Sequence, residues 1–211
     1  MDIDERFIPR FGPMFSGSSP VKADMATDLA IPLLADGGWS AVTLRTVARA
    51  ANVTPQAIAA WFPSVNAMRV AIAGRYGQRW IRERANLAHR RMVRIPRPDA
   101  VSAARSQVAH ALLPETWLEE VFDGVWLTVV EAGRWDEAVG SSVADVQECE
   151  HDLVADLLDE RLRDVVADPD GRSSDHVDIV LALVRGLRVA RTSPHGGMSA
   201  EQASALLSGV R

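Results

Sequence analysis

Thr43-Leu44-Arg45-Thr46-Val47-Ala48-Arg49-Ala50-Ala51-Asn52-Val53-Thr54-Pro55-Gln56-Ala57-Ile58-Ala59-Ala60-Trp61-Phe62 is the stretch from which the rest of the chain can be read. Leu44, Val47, Ala48 and Ala51 recur at helical spacing and so share one face. Thr43 precedes them, where its hydroxyl can accept from an orphan backbone N–H. Asn52-Val53 is a break, because asparagine tolerates the left-handed conformation that ends helices. A second helix then opens with Thr54 as N-cap and Pro55 at N1, a position where the missing N–H is harmless. Ile58 and Phe62, four apart, turn toward the first helix. Two short helices joined by a tight turn make a helix-turn-helix.

Upstream, Ala26, Leu29, Ala30, Leu33 and Leu34 form an apolar stripe that predicts a helix over 21–35, kinked near its end by Pro32. Asp36-Gly37-Gly38 should stop it, and Trp39 and Val42 should seal it onto the pair that follows. Residues 1–21 carry Pro9, Pro13, Pro20, Gly12 and Gly17 without any period and read as a mobile arm.

Downstream, Pro63-Ser64 precedes a long helix starting near Val65, with Met68, Ile72, Tyr76, Trp80 and Leu87 along one side. Arg69, Arg75, Arg79, Arg82, Arg84, Arg90, Arg91 and Arg94 occupy the other sides, expected to be solvated or paired with acidic neighbours. Ile95-Pro96-Arg97-Pro98 breaks this helix. Further helices are expected over 99–113, 115–132, 136–166, 175–191 and 199–210. The expected fold class is all-α: an N-terminal three-helix unit with a helix-turn-helix, followed by a helical bundle. The expected divisions are 1–21 for the arm, 22–64 for the helix-turn-helix and 65–211 for the bundle.

Composition agrees with a globular chain. Of 211 residues 47% are apolar and 24% charged. No run approaches the ~20 apolar residues of a membrane span, and no apolar segment follows a basic start, so a membrane partner is not expected. Cys149 is the only cysteine, which fits a reducing cytoplasm. Residues 1–97 carry 14 Lys/Arg and 7 Asp/Glu, whereas residues 98–211 carry 9 and 21. A basic half joined to an acidic half suggests one surface for a polyanion and a separate body.

Residues 22–68 resemble the DNA-binding domain of the tetracycline-repressor (TetR) family. The resemblance rests on Leu34-Ala35-Asp36-Gly37-Gly38-Trp39, Val42 to Ala48, Ala51-Asn52-Val53-Thr54, and Phe62-Pro63-Ser64 with Asn66-Ala67-Met68. Gly186 to Arg191 and Met198 to Ala203 resemble the family's C-terminal end more loosely. The resemblance implies a homodimer joined through its last two helices. It further implies two recognition helices in successive major grooves of a palindromic double-stranded operator, and a small effector held by the bundle. The function implied is a transcriptional regulator, a repressor released by its ligand, with no enzymatic activity and no cofactor.

Under that resemblance the DNA-contacting set is Thr43, Arg45, Thr46 and Arg49 on phosphates, with Thr54, Pro55, Gln56, Ala59, Ala60 and Trp61 toward the groove. Gln56 suits an adenine edge, and Ala59 or Ala60 a thymine methyl. The sequence departs from the family where a lysine, a glycine and a tyrosine are usual near Pro55, Gln56 and Ala59, and where Val65 replaces a lysine. Those departures motivate an alternative: a degenerate dimer of the same fold that binds a ligand or protein without reading DNA. His110, Trp117, Phe122, Trp126 and Glu131, with Trp135, are the candidate effector-pocket residues. Leu183, Gly186, Leu187, Leu206 and Leu207, with Val189, are the candidate dimer surface. Glu148, His151 and Asp152 lie at helical spacing, and a solvated helix face is expected there instead of a metal site.

Overall fold

A computed structural model describes residues 20–163, 165, 174–192, 198, 199, 202, 203, 205 and 206. The described residues form helices and turns, with no strand among them. The helices are α1 (Pro20–Ala41), α2 (Leu44–Ala50), α3 (Pro55–Trp61), α4 (Val65–Met92), α5 (Val101–Leu112), α6 (Trp117–Gly133), α7 (Glu137–Leu162) and α8 (Ser174–Thr192). The expected arm lies, apart from its last two residues, outside the described residues. Of the expected 199–210 helix only 202, 203, 205 and 206 are described as helical.

Two compact units are distinguished. The first contains, among the described residues, 20–80 and 124–146. There α1, α2 and α3 pack on one another, burying Leu34, Val42, Val47, Ala48, Ile58 and Phe62. The expected stop at Asp36-Gly37-Gly38 falls at Gly38, whose φ of 61° takes the backbone out of the helix. Glycine reaches that left-handed region without Cβ strain, so the chain turns there while Pro32 stays within α1. Trp39 makes a contact that was not expected: its indole Nε1 donates to the Thr128 carbonyl of α6 at 3.1 Å and so fastens α1 to α6, while Val42 is fully buried. Trp80 of α4 stacks on Trp126 of α6, with ring centroids 4.9 Å apart and 19° between planes.

The second unit contains 81–123 and the described residues from 147 onward. Here α8 packs along α5, and both bury one apolar face: Ala104, Val108, Ala109 and Leu112 on α5, and Val177, Val180, Leu181, Val184 and Leu187 on α8. Arginines do much of the remaining work. Arg91 donates to the Ala111 and Leu113 carbonyls and to Glu119, and Arg161 to the carbonyls of Met92, Ile95 and Pro96. Arg91 thereby satisfies carbonyls at the C-terminal end of α5, and Arg161 those at and just beyond the C-terminal end of α4.

Candidate nucleic-acid interface and ligand groove

The helix-turn-helix is built by its caps. Thr43 is extended (φ −123°, ψ 160°), and its hydroxyl accepts from Thr46 N at 3.1 Å while Thr46 Oγ1 accepts from Thr43 N at 2.9 Å. This reciprocal capping box satisfies two donors that would otherwise be orphaned. Asn52 turns the chain with φ 53°, and Val53 N donates to the Ala48 carbonyl at 2.9 Å. Thr54 then caps α3, accepting from Ala57 N at 3.2 Å, with Pro55 as its first residue.

Those bonds also fix which groups are left for a partner. Thr46 Oγ1 donates to the Ala41 carbonyl at 2.6 Å, so its proton is committed inside the protein. Thr54 uses its oxygen as an acceptor and keeps its O–H as a donor. Arg45 and Arg49 are exposed on α2. On α3 Ile58 is buried, Trp61 is half-buried, and Pro55, Gln56, Ala59 and Ala60 are exposed. Residues 37–82 contain no Asp or Glu and include Arg45, Arg49, Arg69, Arg75, Arg79 and Arg82. Among them Arg69 lies 5.9 Å from the centre of the Trp39 ring, and Arg75 holds both Asp28 oxygens at 3.1 and 3.0 Å. That bidentate bond to Asp28 raises the Arg75 pKa above its ordinary value against the opposing effect of partial burial.

Elsewhere in the same unit an open groove of about 500 Å³ is lined by Trp39, Leu127, Thr128, Glu131, Ala132 and Trp135. Its volume lies in the range of small-molecule sites, and its walls are mostly apolar with a single carboxylate. Trp135, 84% exposed, donates its indole N–H to Glu131 Oε1 at 3.2 Å. Glu131 and Trp135 of the expected pocket therefore do share a cavity, and Trp39 joins them. A tryptophan predicted to seal the short helices carried no signal that it would line this groove.

The other expected pocket residues sit differently. Trp126 belongs to this unit but is buried against Trp80, with one ring face already occupied. His110, Trp117 and Phe122 belong to the second unit, where His110 and Phe122 are half-buried and Trp117 is 75% exposed at the start of α6.

What the second unit buries instead is charge. Arg84 of α4, 2% exposed, donates to Asp123 of α6. Arg188 of α8 lies 3.6 Å from Asp123 Oδ2 and donates to Glu150 Oε1 of α7 at 2.5 Å, while Arg185 donates to Glu150 Oε2 at 3.0 Å. Burial pushes Arg84 down to about 10, with Asp123 opposing the shift and Arg188 adding to it. Burial would raise Glu150, but Arg188 and Arg185 outweigh it and hold the carboxyl below the usual range. Glu119 behaves alike: burial is outweighed by the Glu115 N–H and by Arg91. Arg84 thus pairs with an acidic residue, as expected of this arginine row, but the pair is buried and not on a solvated face, which is the clearest departure in this unit.

The candidate dimer residues separate as well. Leu187 is buried in the protomer's own core, Leu183 is half-buried, Gly186 faces open space and Leu206 is exposed. Leu207 lies outside the described residues. The apolar face that α8 exposes is Ile179 (43%), Ala182, Gly186 and Val189 (57%), which follow one another at helical spacing. Ile179 and Ala182 were missed because α8 is apolar over so wide an arc that its phase could not be read from sequence.

Among the described residues, no three His, Cys, Asp or Glu side chains gather so as to hold a metal ion. His151 Nδ1 lies 3.8 Å from Asp152 Oδ1 on a partly exposed surface. No helix among the described residues is long and apolar enough to cross a membrane.

No family model matches the chain, and no curated protein matches it in sequence. Solved structures do resemble it. A transcriptional regulator from Rhodococcus sp. Rha1 is 16% identical with a TM-score of 0.60, the match covering 90% of this chain and 92% of that one. A TetR-like transcriptional regulator from Rhodococcus sp. RHA1 is 19% identical with a TM-score of 0.54, covering 92% and 96%. GusR of Salmonella enterica is 13% identical with a TM-score of 0.57, covering 92% and 97%. At these identities the likeness is one of fold, and it extends over almost the whole chain.

Proposed function

We propose that this chain is a cytoplasmic, homodimeric, DNA-binding transcriptional regulator of the TetR type, acting as a repressor that a small ligand releases. The observation that carries this reading is the capped α2–turn–α3 pair inside 46 residues, 37–82, that hold six arginines and no acid. Its support is the fold, shared with transcriptional regulators over about nine-tenths of the chain. In this reading residues 22–64 form the DNA-binding head, although that boundary falls inside one compact unit, and 65–211 bind effector and partner. Arg45 and Arg49 hold phosphates, and Thr54, Pro55, Gln56, Ala59, Ala60 and Trp61 lie toward the groove. The effector is apolar or aromatic and uses the Trp39, Glu131 and Trp135 groove. The second subunit covers Ile179, Ala182, Gly186 and Val189, where the absent Cβ of Gly186 permits close approach.

The test is binding of the purified protein to the duplex that flanks its own gene, followed by fluorescence anisotropy across a salt series. Affinity should fall steeply with salt as counterions are released. Arg45→Ala and Arg49→Ala should each reduce the slope of log affinity against log salt by about 1. A second reading is favoured by one observation, that α3 exposes a single side chain with both donor and acceptor, Gln56. On that reading the chain is a dimer that binds a ligand or protein without reading DNA. A folded dimer with no affinity for the duplex at low salt would establish it.

A further inference from the structure

We infer that the head selects A·T base pairs and reads them partly through the thymine 5-methyl group, an inference that rests on the DNA-binding reading above. The argument is chemical. In the major groove guanine offers two acceptors that arginine or lysine grips, and cytosine offers a donor that Asp or Glu accepts. Helix α3, Pro55–Trp61, contains none of those four residue types. Its exposed face is Pro55, Gln56, Ala59 and Ala60. A carboxamide both donates and accepts, which matches the adenine N6–H and N7, and an alanine methyl is complementary to the methyl of thymine.

Ile58 is buried and adds no contact. The Thr54 hydroxyl caps Ala57 N at 3.2 Å and keeps its O–H as a donor, which is neither carboxylate nor cation and suits an acceptor on any base, so it does not favour guanine over adenine or thymine. Arg45 and Arg49 lie on α2, a separate helix, and in the preceding reading they hold phosphates. The spacing sets the distance between contacts. Gln56 precedes Ala59 and Ala60 by three and four residues, roughly 4.5–6 Å of helix. With bases about 3.4 Å apart along a strand, the adenine and the thymine methyl fall within about two base steps of each other.

The experiment selects duplexes from a pool with a random 20-base-pair core against the full-length dimer, then resynthesises the selected duplexes with deoxyuracil in place of thymine. Deoxyuracil removes only the methyl group. Expected are enrichment of an A·T pair at two positions within two steps and a loss of about fourfold in affinity per methyl removed. Gln56→Ala should cost about tenfold on the selected site and relax the choice at the adenine position. Ala59→Ser and Ala60→Ser keep the helix, and at least one of them should abolish the deoxyuracil penalty. Circular dichroism melts confirm that each variant is folded. Enrichment of G·C at the contacted positions, or full affinity for the deoxyuracil duplex, overturns this inference and leaves the regulator reading standing. Failure of the folded dimer to enrich any sequence overturns the regulator reading itself and this inference with it.

Discussion

Up to Trp80, α4 is held by hydrocarbon and rings: Met68, Ile72, Ala73, Tyr76 and Trp80 are buried, and Trp80 stacks on Trp126. From Ile81 onward the same helix still buries Ile81, Ala85, Ala88 and Met92, but guanidinium groups are added to that packing. Arg84 meets Asp123, Arg91 meets Glu119 and Glu115, and Arg161 reaches back to the Met92 carbonyl. The two parts lie in different compact units, and each carries a different vulnerability. Apolar packing is non-directional and near crystal density, so it is sensitive to added or missing volume. A buried ionic pair is directional and gains little over hydrocarbon, yet the loss of one partner strands the other's charge.

The sharpest way to break that difference is Asp123→Ala. Asp123 is fully buried and serves Arg84, with Arg188 3.6 Å from its second oxygen. Truncating it strands buried positive charge and should cost about 3–5 kcal/mol, read from the midpoint of guanidinium unfolding. The double replacement Arg84→Met with Asp123→Leu removes both charges and should recover most of that loss. A cost of ~1 kcal/mol or less for Asp123→Ala would show that the clamp does not hold this part of α4.

The apolar part fails by volume instead. A Cβ on Gly77 would lie 2.6 Å from Val146 Cγ2 and 3.1 Å from Trp126 Cζ3. Alanine is the better helix former by ~1 kcal/mol, yet overpacking costs about 1–3 kcal/mol, so Gly77→Ala should be neutral to destabilising by ~2 kcal/mol. Val146→Ala in the same chain should turn the substitution favourable, because the methyl that obstructs it is gone. A gain in melting temperature for Gly77→Ala alone would place the tight crossing elsewhere.

This contrast also explains what the sequence disclosed. Signals confined to a few neighbouring residues were legible: Thr43 and Thr54 as caps, Pro55 at N1, Asn52 in the left-handed region. The all-α class and most helix ends followed from the same local chemistry. Long-range partners were not legible. Helical periodicity treats every arginine as outward, so the burial of Arg84 could not be seen until Asp123, 39 residues on, was placed beside it. Trp39 found Thr128 at a separation of 89 residues, which no local pattern encodes. Leu187, expected on the dimer surface, is buried, and Ile179, not singled out, is exposed, because α8 has apolar residues around much of its circumference. Of the candidate site, the exposed face of α3 could be read because exposure on a short capped helix follows from its phase.

Acid offers the mildest probe of the ionic clamps, and its sign follows from Glu150. Burial opposes ionisation of this carboxyl, but Arg188 and Arg185 outweigh it, so its folded pKa lies below the ordinary 4.5. A carboxyl with a depressed folded pKa stabilises the native state fully above its unfolded value, and that contribution disappears as pH falls through the folded value. Wild-type stability should therefore hold steady down to about pH 5 and decline below about 4.5. Glu150→Gln cannot titrate, so it starts lower at pH 7 and declines less. The gap between the two should narrow as the wild-type carboxyl takes up its proton and comes to resemble the amide. Unfolding midpoints from pH 7 to pH 3 measure that gap directly. Apolar packing around Trp80 and Gly77 has no such dependence, so Gly77→Ala should keep a constant offset from wild type over the same range. A Glu150 gap that also stays constant would mean that the Glu150 charge contributes nothing to holding α7 against α8.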